Sequence, residues 1–175
     1  MSPMFEDVLI SSGPSTELNT VPDLYGWLIG SWKAEVVDYN EDGTKKFSKG
    51  EWHFHWVLEG RAVQDVWICP PRSERMPGLP LEGNRYGTTI RFYDSNIHAW
   101  RIKWINPVRS VFNELVAKKV EDRIVQEGSL EDGSLIRWNF SDIKKDSCRW
   151  SGEISTNGGK TWKLQAEFFL KRLET

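Results

Sequence analysis

The stretch GEWHFHWVLEGRAVQDVW, residues 50–67, decides the fold that the sequence predicts. Apolar and polar residues alternate in its first half, and a second alternating run begins after Glu59-Gly60. Period-two alternation is typical of a strand with one buried face, and a turn containing glycine can join two such strands in a hairpin. The residues predicted to face inward are Trp52, Phe54, Trp56 and Leu58 on the first strand and Val63, Asp65, Trp67 and Cys69 on the second.

Similar runs and turns fill the rest of the chain. The ten strand-like segments are 30–38, 46–58, 61–69, 86–94, 97–105, 110–118, 122–129, 134–142, 147–155 and 161–171. Most of the turns between them contain Asn, Asp or Gly, which tolerate positive φ. A meander of this many strands is expected to close, because closure removes the unpaired edges. We predict an all-β fold, an antiparallel up-and-down barrel of about ten strands, after a short helix that Asp23 caps.

Length and charge limit the classes of protein. A chain of 175 residues with 39% hydrophobic residues is typical of one domain, which we place at 21–175 after a flexible lead-in at 1–20. The net charge of -2 and the scattered Lys and Arg residues argue against nucleic-acid binding. No apolar run is long enough for a membrane span and the N-terminus is acidic, so we predict a cytoplasmic protein.

Residues 155–162, STNGGKTW, resemble the Asp box of sialidase propellers, with Asn157 in the Asp position. A sialidase would carry one box per blade and a cluster of arginines, whereas this chain has a single box. We therefore interpret the segment as a hairpin turn in which Asn157 and two glycines reverse the chain and Trp162 packs inward.

The first and last strands carry a recognisable pair of residues. Gly30-Ser31-Trp32 opens the first strand and Arg172 ends the last. A Gly-x-Trp motif with a basic residue stacked on its indole resembles the signature of the calycins, which include lipocalins, fatty-acid-binding proteins and avidins. The resemblance implies that Trp32 and Arg172 close one end of the barrel through a cation–π contact.

A wider resemblance covers residues 24–172. The runs GEWHFHWVLEGRAVQDVW, IRWNFSDI and WSGEISTNGGKTW are similar to a bacterial family of lipocalin-like domains of unknown function. Haem-binding nitrobindins are also ten-stranded barrels, but they carry a longer Gly-x-Trp-x-Gly-x-Gly motif and a C-terminal His ligand. Lys33 and Ala34 follow Trp32 here and the last strand has no His, so we expect no haem and no other cofactor.

The ten Trp residues suggest a ligand. Alternation places all of them except Trp27 on the inward face, where they either line a cavity or fill the core. The first hypothesis is that the barrel binds a small apolar or aromatic molecule. Its predicted ligand-binding residues are Trp52, Trp56, Asp65, Trp67, His98, Trp100, Trp104 and Trp138.

Two polar residues raise the alternative of an enzyme. Asp65 is predicted to lie among inward aromatic residues and therefore needs a basic or hydrogen-bonding partner, from a neighbouring strand or from Arg61. His98 is predicted to share the face of Trp100 and Trp104. The two could act as acid and base in a cyclase, isomerase or hydrolase, although such residues more often orient a ligand or satisfy each other.

Three other features of the sequence bear on function. His53 and His55 are predicted to point outward, where they form a polar face or a homodimer contact; no third zinc ligand is evident. Cys69 and Cys148 match no metal-ligand spacing and are interpreted as core residues. The long connection 70–85 is either a lid over the barrel mouth or a surface loop.

Overall fold

A computed structural model describes residues 1–174, and ten strands account for most of the chain. The strands are β1 (Gly30–Tyr39), β2 (Lys45–Val57), β3 (Ala62–Cys69), β4 (Arg85–Asp94), β5 (Ala99–Asn106), β6 (Val111–Val120), β7 (Arg123–Ser129), β8 (Leu135–Ser141), β9 (Ser147–Ser155) and β10 (Lys163–Arg172). A five-residue helix, α1 (Phe5–Leu9), precedes them, with short 3₁₀ turns at Thr16–Thr20, Gly26–Leu28 and Arg72–Glu74.

The strands form a closed barrel. Each strand pairs antiparallel with the next, and β1 pairs with β10. The predicted all-β fold, an up-and-down barrel of ten antiparallel strands with a short N-terminal helix, is confirmed. In the described part of the chain no helix is long and apolar enough to cross a membrane.

Trp32 and Arg172 hold one end of the barrel together. The Arg172 guanidinium lies 4.1 Å from the centroid of the Trp32 ring, and Trp32 is fully buried. The same guanidinium donates hydrogen bonds to the carbonyl oxygens of Ile29 (2.7 Å) and Trp27 (2.5 Å). The predicted closure contact is therefore present, and it also satisfies backbone carbonyls of the segment that enters β1.

Residues before β1 cover this closed end. Ile10 forms a bridge with Val57 at the end of β2, and the Ser15 amide donates to the Gly60 carbonyl. Gly60 has a φ of 78°, and a Cβ there would lie 2.2 Å from the Gly13 carbonyl oxygen, so only glycine fits. The Asp23 carboxylate caps the turn that follows, as predicted, and the turn is a 3₁₀ helix.

A β-bulge corrects the predicted orientation of the start of β10. Leu164 is opposite Glu153 and Ala166 is opposite Gly152, so Gln165 is an extra residue on this strand. One extra residue moves the preceding side chains to the other face of the sheet. The prediction that Trp162 and Leu164 point inward is therefore wrong. Trp162 lies instead on the outer face, 4.0 Å from the Arg137 guanidinium.

Left-handed turn residues correct two further orientations. His98 has a φ of 51° and is exposed in the turn before β5, so the prediction that it faces the cavity is wrong. Leu58, predicted to face inward, has a φ of 54° in the turn after β2 and is 48% exposed. In both cases the strand ends earlier or begins later than the alternation suggested, and residues outside the strand do not follow its period.

The STNGGKTW segment is a hydrogen-bonded hairpin turn, as predicted. The Asn157 side chain accepts from the Thr161 amide (3.0 Å) and donates to the Thr161 hydroxyl (2.8 Å). The Ser155 hydroxyl accepts from the Gly159 amide at 2.9 Å. Asn157 thus stabilises the turn.

We expect Asn157→Ala to lower the free energy of unfolding by about 1 kcal/mol, because the turn loses the side-chain hydrogen bonds to Thr161. Asn157→Asp keeps the acceptor and should cost less. Urea unfolding followed by tryptophan fluorescence measures both variants. An Asn157→Ala midpoint equal to that of the unchanged protein would mean that the glycines alone set the turn.

Candidate functional site

The barrel contains a cavity of about 590 Å³ at the end opposite the Trp32–Arg172 contact. Asp38, Arg85 and Arg109 lie near its mouth, at strand ends and in the turn after β5. The aromatic side chains of its wall are Trp52, Trp67, Trp104, Trp138, Trp150 and Phe168. The cavity is therefore largely aromatic, with charged groups concentrated where it meets solvent.

Stacked rings form one side of the cavity. Phe168 is stacked between Trp67 and Trp150, with ring centroids 4.5 and 4.3 Å apart and interplanar angles of 19° and 15°. Trp52 contacts Trp67 with centroids 5.0 Å apart. A Cβ at Gly152 would lie 2.8 Å from Trp150, so the absence of a side chain there leaves space for the Trp150 ring. The stack is consequently a rigid surface against which another flat ring can lie.

Two of the predicted ligand-binding tryptophans are not in the cavity, and neither Asp65 nor His98 lines it. Trp100 is buried at the closed end, where its ring contacts Tyr25 and its Nε1 donates to the Pro22 carbonyl oxygen at 2.9 Å. Trp56 faces inward and is buried, but it does not line the cavity. Both predictions failed because alternation gives the face of a strand and not the depth along the barrel. The sequence left open whether the barrel is filled or hollow; its closed end is filled and the other end is hollow.

Asp65 has the basic partner that its burial required. Arg91 on β4 donates from Nη1 to Asp65 Oδ2 at 2.5 Å, and the Thr89 amide donates to Oδ1 at 3.1 Å. Both charged side chains are almost fully buried. The Arg91 guanidinium also lies 5.2 Å from the ring centroid of Tyr25 and 5.5 Å from that of Phe54. The carboxylate is thus held by fixed donors, and Asp65 itself does not line the cavity.

Tyr25 connects this ion pair to the closed end. Burial raises the pKa of its hydroxyl, while the charge of Arg91 acts in the opposite direction. The hydroxyl therefore stays protonated at neutral pH and donates to Gln126 Oε1 at 2.9 Å. His98, the other predicted acid or base, is in an exposed turn, so the structure does not bring Asp65 and His98 together in the cavity.

A second ion pair lies at the mouth. Arg85 donates to Asp38 from Nη2 at 2.5 Å and from Nη1 at 3.2 Å. Burial acts to lower the pKa of Arg85, but the Asp38 carboxylate outweighs it and the pKa is raised above its usual range. Arg109 is exposed, and no ion pair or side-chain hydrogen bond to it is found among residues 1–174. The mouth consequently carries one neutralised and one uncompensated arginine.

Several buried donors in the cavity lack a partner. The indole Nε1 atoms of Trp52 and Trp67 and the Nε atom of Arg91 are buried, and the described residues offer none of them an acceptor. Buried donors in folded proteins are normally paired, so these three atoms are exceptions to that rule.

Sequence reasoning missed Arg85, Arg91, Asp38 and Trp150 as site residues. Trp150 was predicted to face inward but was not assigned to the site. Arg91 was hidden because the apolar residues of β4, Ile90 and Phe92, alternate on the outer face. The one available signal was the need of Asp65 for a basic partner on a neighbouring strand.

The connection between β3 and β4 lies on the outside of the barrel. Arg72 donates to Glu51 on the outer face of β2 at 2.6 Å, and Arg75 lies over the Tyr86 ring. None of residues 70–84, all of which the structure describes, lines the cavity. This arrangement favours the surface-loop interpretation over the lid.

The histidines and cysteines lie apart from the cavity. His53 and His55 are on the outer face as predicted, and His53 Nδ1 lies 2.8 Å from the Ser31 hydroxyl. Both cysteines are buried and free, and burial raises the pKa of the Cys148 thiol to about 12. Within residues 1–174 no three His, Cys, Asp or Glu side chains are grouped so that they could hold a metal ion.

Solved structures with the same fold are known. The chain is similar to the S-type phycobiliprotein lyase CPES from Guillardia theta, with 12% identity and a TM-score of 0.53 over 85% of this chain and 90% of that one. It is also similar to Rv2717c from M. tuberculosis, with 11% identity and a TM-score of 0.52 over 92% and 99% of the two chains. No family model and no curated protein matches the sequence. These similarities support a calycin-like barrel, and at such identities they show the fold alone.

Proposed function

We propose that this protein binds a small hydrophobic or aromatic molecule in the cavity at the open end of the barrel. The observation that carries the proposal is a space of about 590 Å³ walled by five Trp residues and Phe168. Small-molecule sites typically have volumes of about 300–1,000 Å³ and mostly apolar walls. Aromatic surface that meets only water is unfavourable, so a ligand that covers the rings gains hydrophobic and stacking free energy.

The geometry favours binding over catalysis. The enzyme hypothesis used Asp65 or His98 as acid or base, but His98 lies in an exposed turn and Asp65 is bonded to Arg91 and Thr89. Asp65 also does not line the cavity, so a substrate bound there would not meet its carboxylate. The homodimer through the His53 and His55 face stays a prediction, which light scattering tests.

We further propose that the chain belongs to the bacterial family of lipocalin-like domains. The similarity of runs such as GEWHFHWVLEGRAVQDVW to bacterial lipocalin-like domains supports membership of that family, as does the barrel fold. One structural neighbour is a phycobiliprotein lyase, and sharing its fold is compatible with a small-ligand partner. A cytoplasmic location stays a prediction.

Filling the cavity should abolish binding. Ala166 is buried, faces the cavity and has space in front of it, so Ala166→Trp places a large ring where the ligand would lie. We expect the affinity for the uncharged fluorescent probe N-phenyl-1-naphthylamine to fall at least about tenfold, since the probe and the new indole compete for the same volume. Titration of the probe, followed by its emission and by quenching of tryptophan emission, measures the change.

The matched control is Lys171→Trp, which adds the same side chain on the exposed face of the same strand. Its affinity for the probe should equal that of the unchanged protein. Native mass spectrometry of gently purified protein complements the titration, and any extra mass should be absent from Ala166→Trp. Equal probe binding in all three proteins would refute the cavity as the binding site.

A further inference from the structure

The outer wall of the barrel is apolar on one side. The strands β3 to β6 are consecutive neighbours, and the residues that line the cavity from β4, β5 and β6 leave the alternate ones on the outside. The outward residues of these four strands include Val66, Tyr86, Ile90, Phe92, Ile105, Phe112 and Val116. Outward positions on β7 to β10 are instead mostly Ser, Asn, Glu, Lys and Arg. We call the outer side of β3 to β6 the apolar face.

Phe112 is the most exposed apolar residue of this face. It lies on β6 directly opposite Ile105 on β5, and its side chain is 57% exposed. Ile105, Tyr86 and Val116 are exposed as well. Elsewhere on the strands of the described chain, the exposed large apolar residues are Phe47 and Phe169. Monomeric proteins seldom expose large contiguous apolar patches, so this clustering on three adjacent strands indicates an interaction site.

The charged residues of the apolar face are already paired within one molecule. Each has an oppositely charged partner; the pairs are Lys103–Glu114, Arg101–Asp94 and Lys118–Glu127. The outward residues of β3 carry no charge. A nucleic acid, an anionic membrane or a strongly charged protein would therefore find no free counter-charge on this face.

A neutral apolar face is suited to contact with its own copy. In a twofold dimer each patch meets the same patch, so an excess of one charge would cause repulsion across the interface. The internal ion pairs remove that excess. Homo-oligomers with twofold symmetry are also the commonest assemblies of soluble proteins, and a second copy is present wherever the first one is.

The size of the apolar face predicts a weak contact. Four strands about 4.8 Å apart and about eight residues long cover roughly 400–500 Å². The connection between β3 and β4 borders the face, because Arg75 lies over the Tyr86 ring, and it carries the exposed residues Met76 and Leu81. A standard interface buries about 800 Å² on each partner, so we expect a dimer that dissociates in the micromolar range.

We infer that the apolar face of β3 to β6 is a contact surface for a second copy of this chain. Phe112 and Ile105 of each copy pack against the apolar face of the other. The inference is independent of ligand binding in the cavity, because the two surfaces are on opposite sides of the barrel wall. It also differs from a dimer through His53 and His55, which lie on β2.

Sedimentation velocity from about 2 to 200 µM tests the contact. The sedimentation coefficient of the unchanged protein should rise with concentration from that of a monomer towards that of a dimer. Phe112→Glu should raise the dissociation constant at least about 100-fold, because a carboxylate would be buried in an apolar contact without a counter-charge. Ile105→Lys is a second variant of the same contact. Circular dichroism checks that both remain folded.

The chain offers two matched controls. Phe169 is also an outward phenylalanine, 46% exposed, and it lies on β10, across the barrel from β5. Phe169→Glu should therefore dimerise like the unchanged protein. His55→Glu alters the outer face of β2 and should likewise have little effect on the dissociation constant.

Each outcome decides the inference. Loss of the dimer in Phe112→Glu and Ile105→Lys, with dimers retained in both controls, supports it. A protein that stays monomeric to about 200 µM overturns it, as does an equal loss in Phe169→Glu or a loss confined to His55→Glu. Binding of a monomer to phosphatidylcholine vesicles that is abolished by Phe112→Glu would assign the face to a lipid surface and overturn the dimer.

Discussion

Asp65→Ala is expected to lower the free energy of unfolding by about 3–5 kcal/mol, because it leaves the Arg91 guanidinium buried without its counter-charge. Arg91 is only 2% exposed and packs against Tyr25 and Phe54, so its charge is largely removed from solvent. The Thr89 amide also loses its acceptor. Chemical denaturation at neutral pH measures the loss.

A double substitution tests whether the uncompensated charge of Arg91 causes the loss of stability. Replacing a buried ion pair by apolar residues of similar size is often neutral or stabilising, so Asp65→Leu/Arg91→Met should recover most of the loss. Glu17→Ala, which breaks the exposed pair with Arg61, should leave the unfolding midpoint nearly unchanged. A double variant as unstable as Asp65→Ala would contradict an origin in the uncompensated charge.

Trp32→Ala is expected to cost about 3–5 kcal/mol through the lost burial and the cavity left behind. Trp32 is fully buried, its Nε1 donates to the Leu28 carbonyl oxygen at 2.7 Å, and its ring supports the Arg172 guanidinium. Its loss also frees Arg172 from the position in which that side chain bonds the carbonyls of Trp27 and Ile29. Thermal and urea unfolding should both show a large decrease in stability.

The chain contains a matched control for this contact. Trp162 also stacks on a guanidinium, that of Arg137, with a distance of 4.0 Å, but it lies on the outer face and is only partly buried. Trp162→Ala should therefore cost much less than Trp32→Ala, since exposed cation–π contacts contribute about 0.5–1 kcal/mol. Equal losses in the two variants would mean that the contact itself, and not closure of the barrel, determines the effect.

The fold was predictable because its signals are local. The alternation and the Glu59-Gly60 turn in residues 50–67 specify a hairpin, and repetition of such units specifies a meander. Closure followed from the need to pair the edge strands, and the Trp32 and Arg172 motif identified the closed end. Each of these features depends on neighbouring residues or on a recognisable pair. The fold could therefore be predicted without knowing the side-chain packing or the strand register.

The site was predictable only in part. Trp52, Trp67, Trp104 and Trp138 line the cavity, as alternation predicted. Alternation also placed His98 inside the barrel. That placement is wrong because His98 is a left-handed residue in the turn before β5, and turn residues do not follow the alternation of a strand. The same rule also missed the bulge at Gln165, because an extra residue is detectable only where two strands pair.

The sequence by itself determined the class of fold, its closed end and the aromatic character of the interior, because hydrophobic period and turn chemistry are local properties. Only the tertiary structure decided which aromatics face open space, which arginine compensates Asp65 and which donors are left unpaired. Those outcomes depend on the register between β3 and β4, and a connection as long as 70–84 does not specify that register in the way a tight turn does.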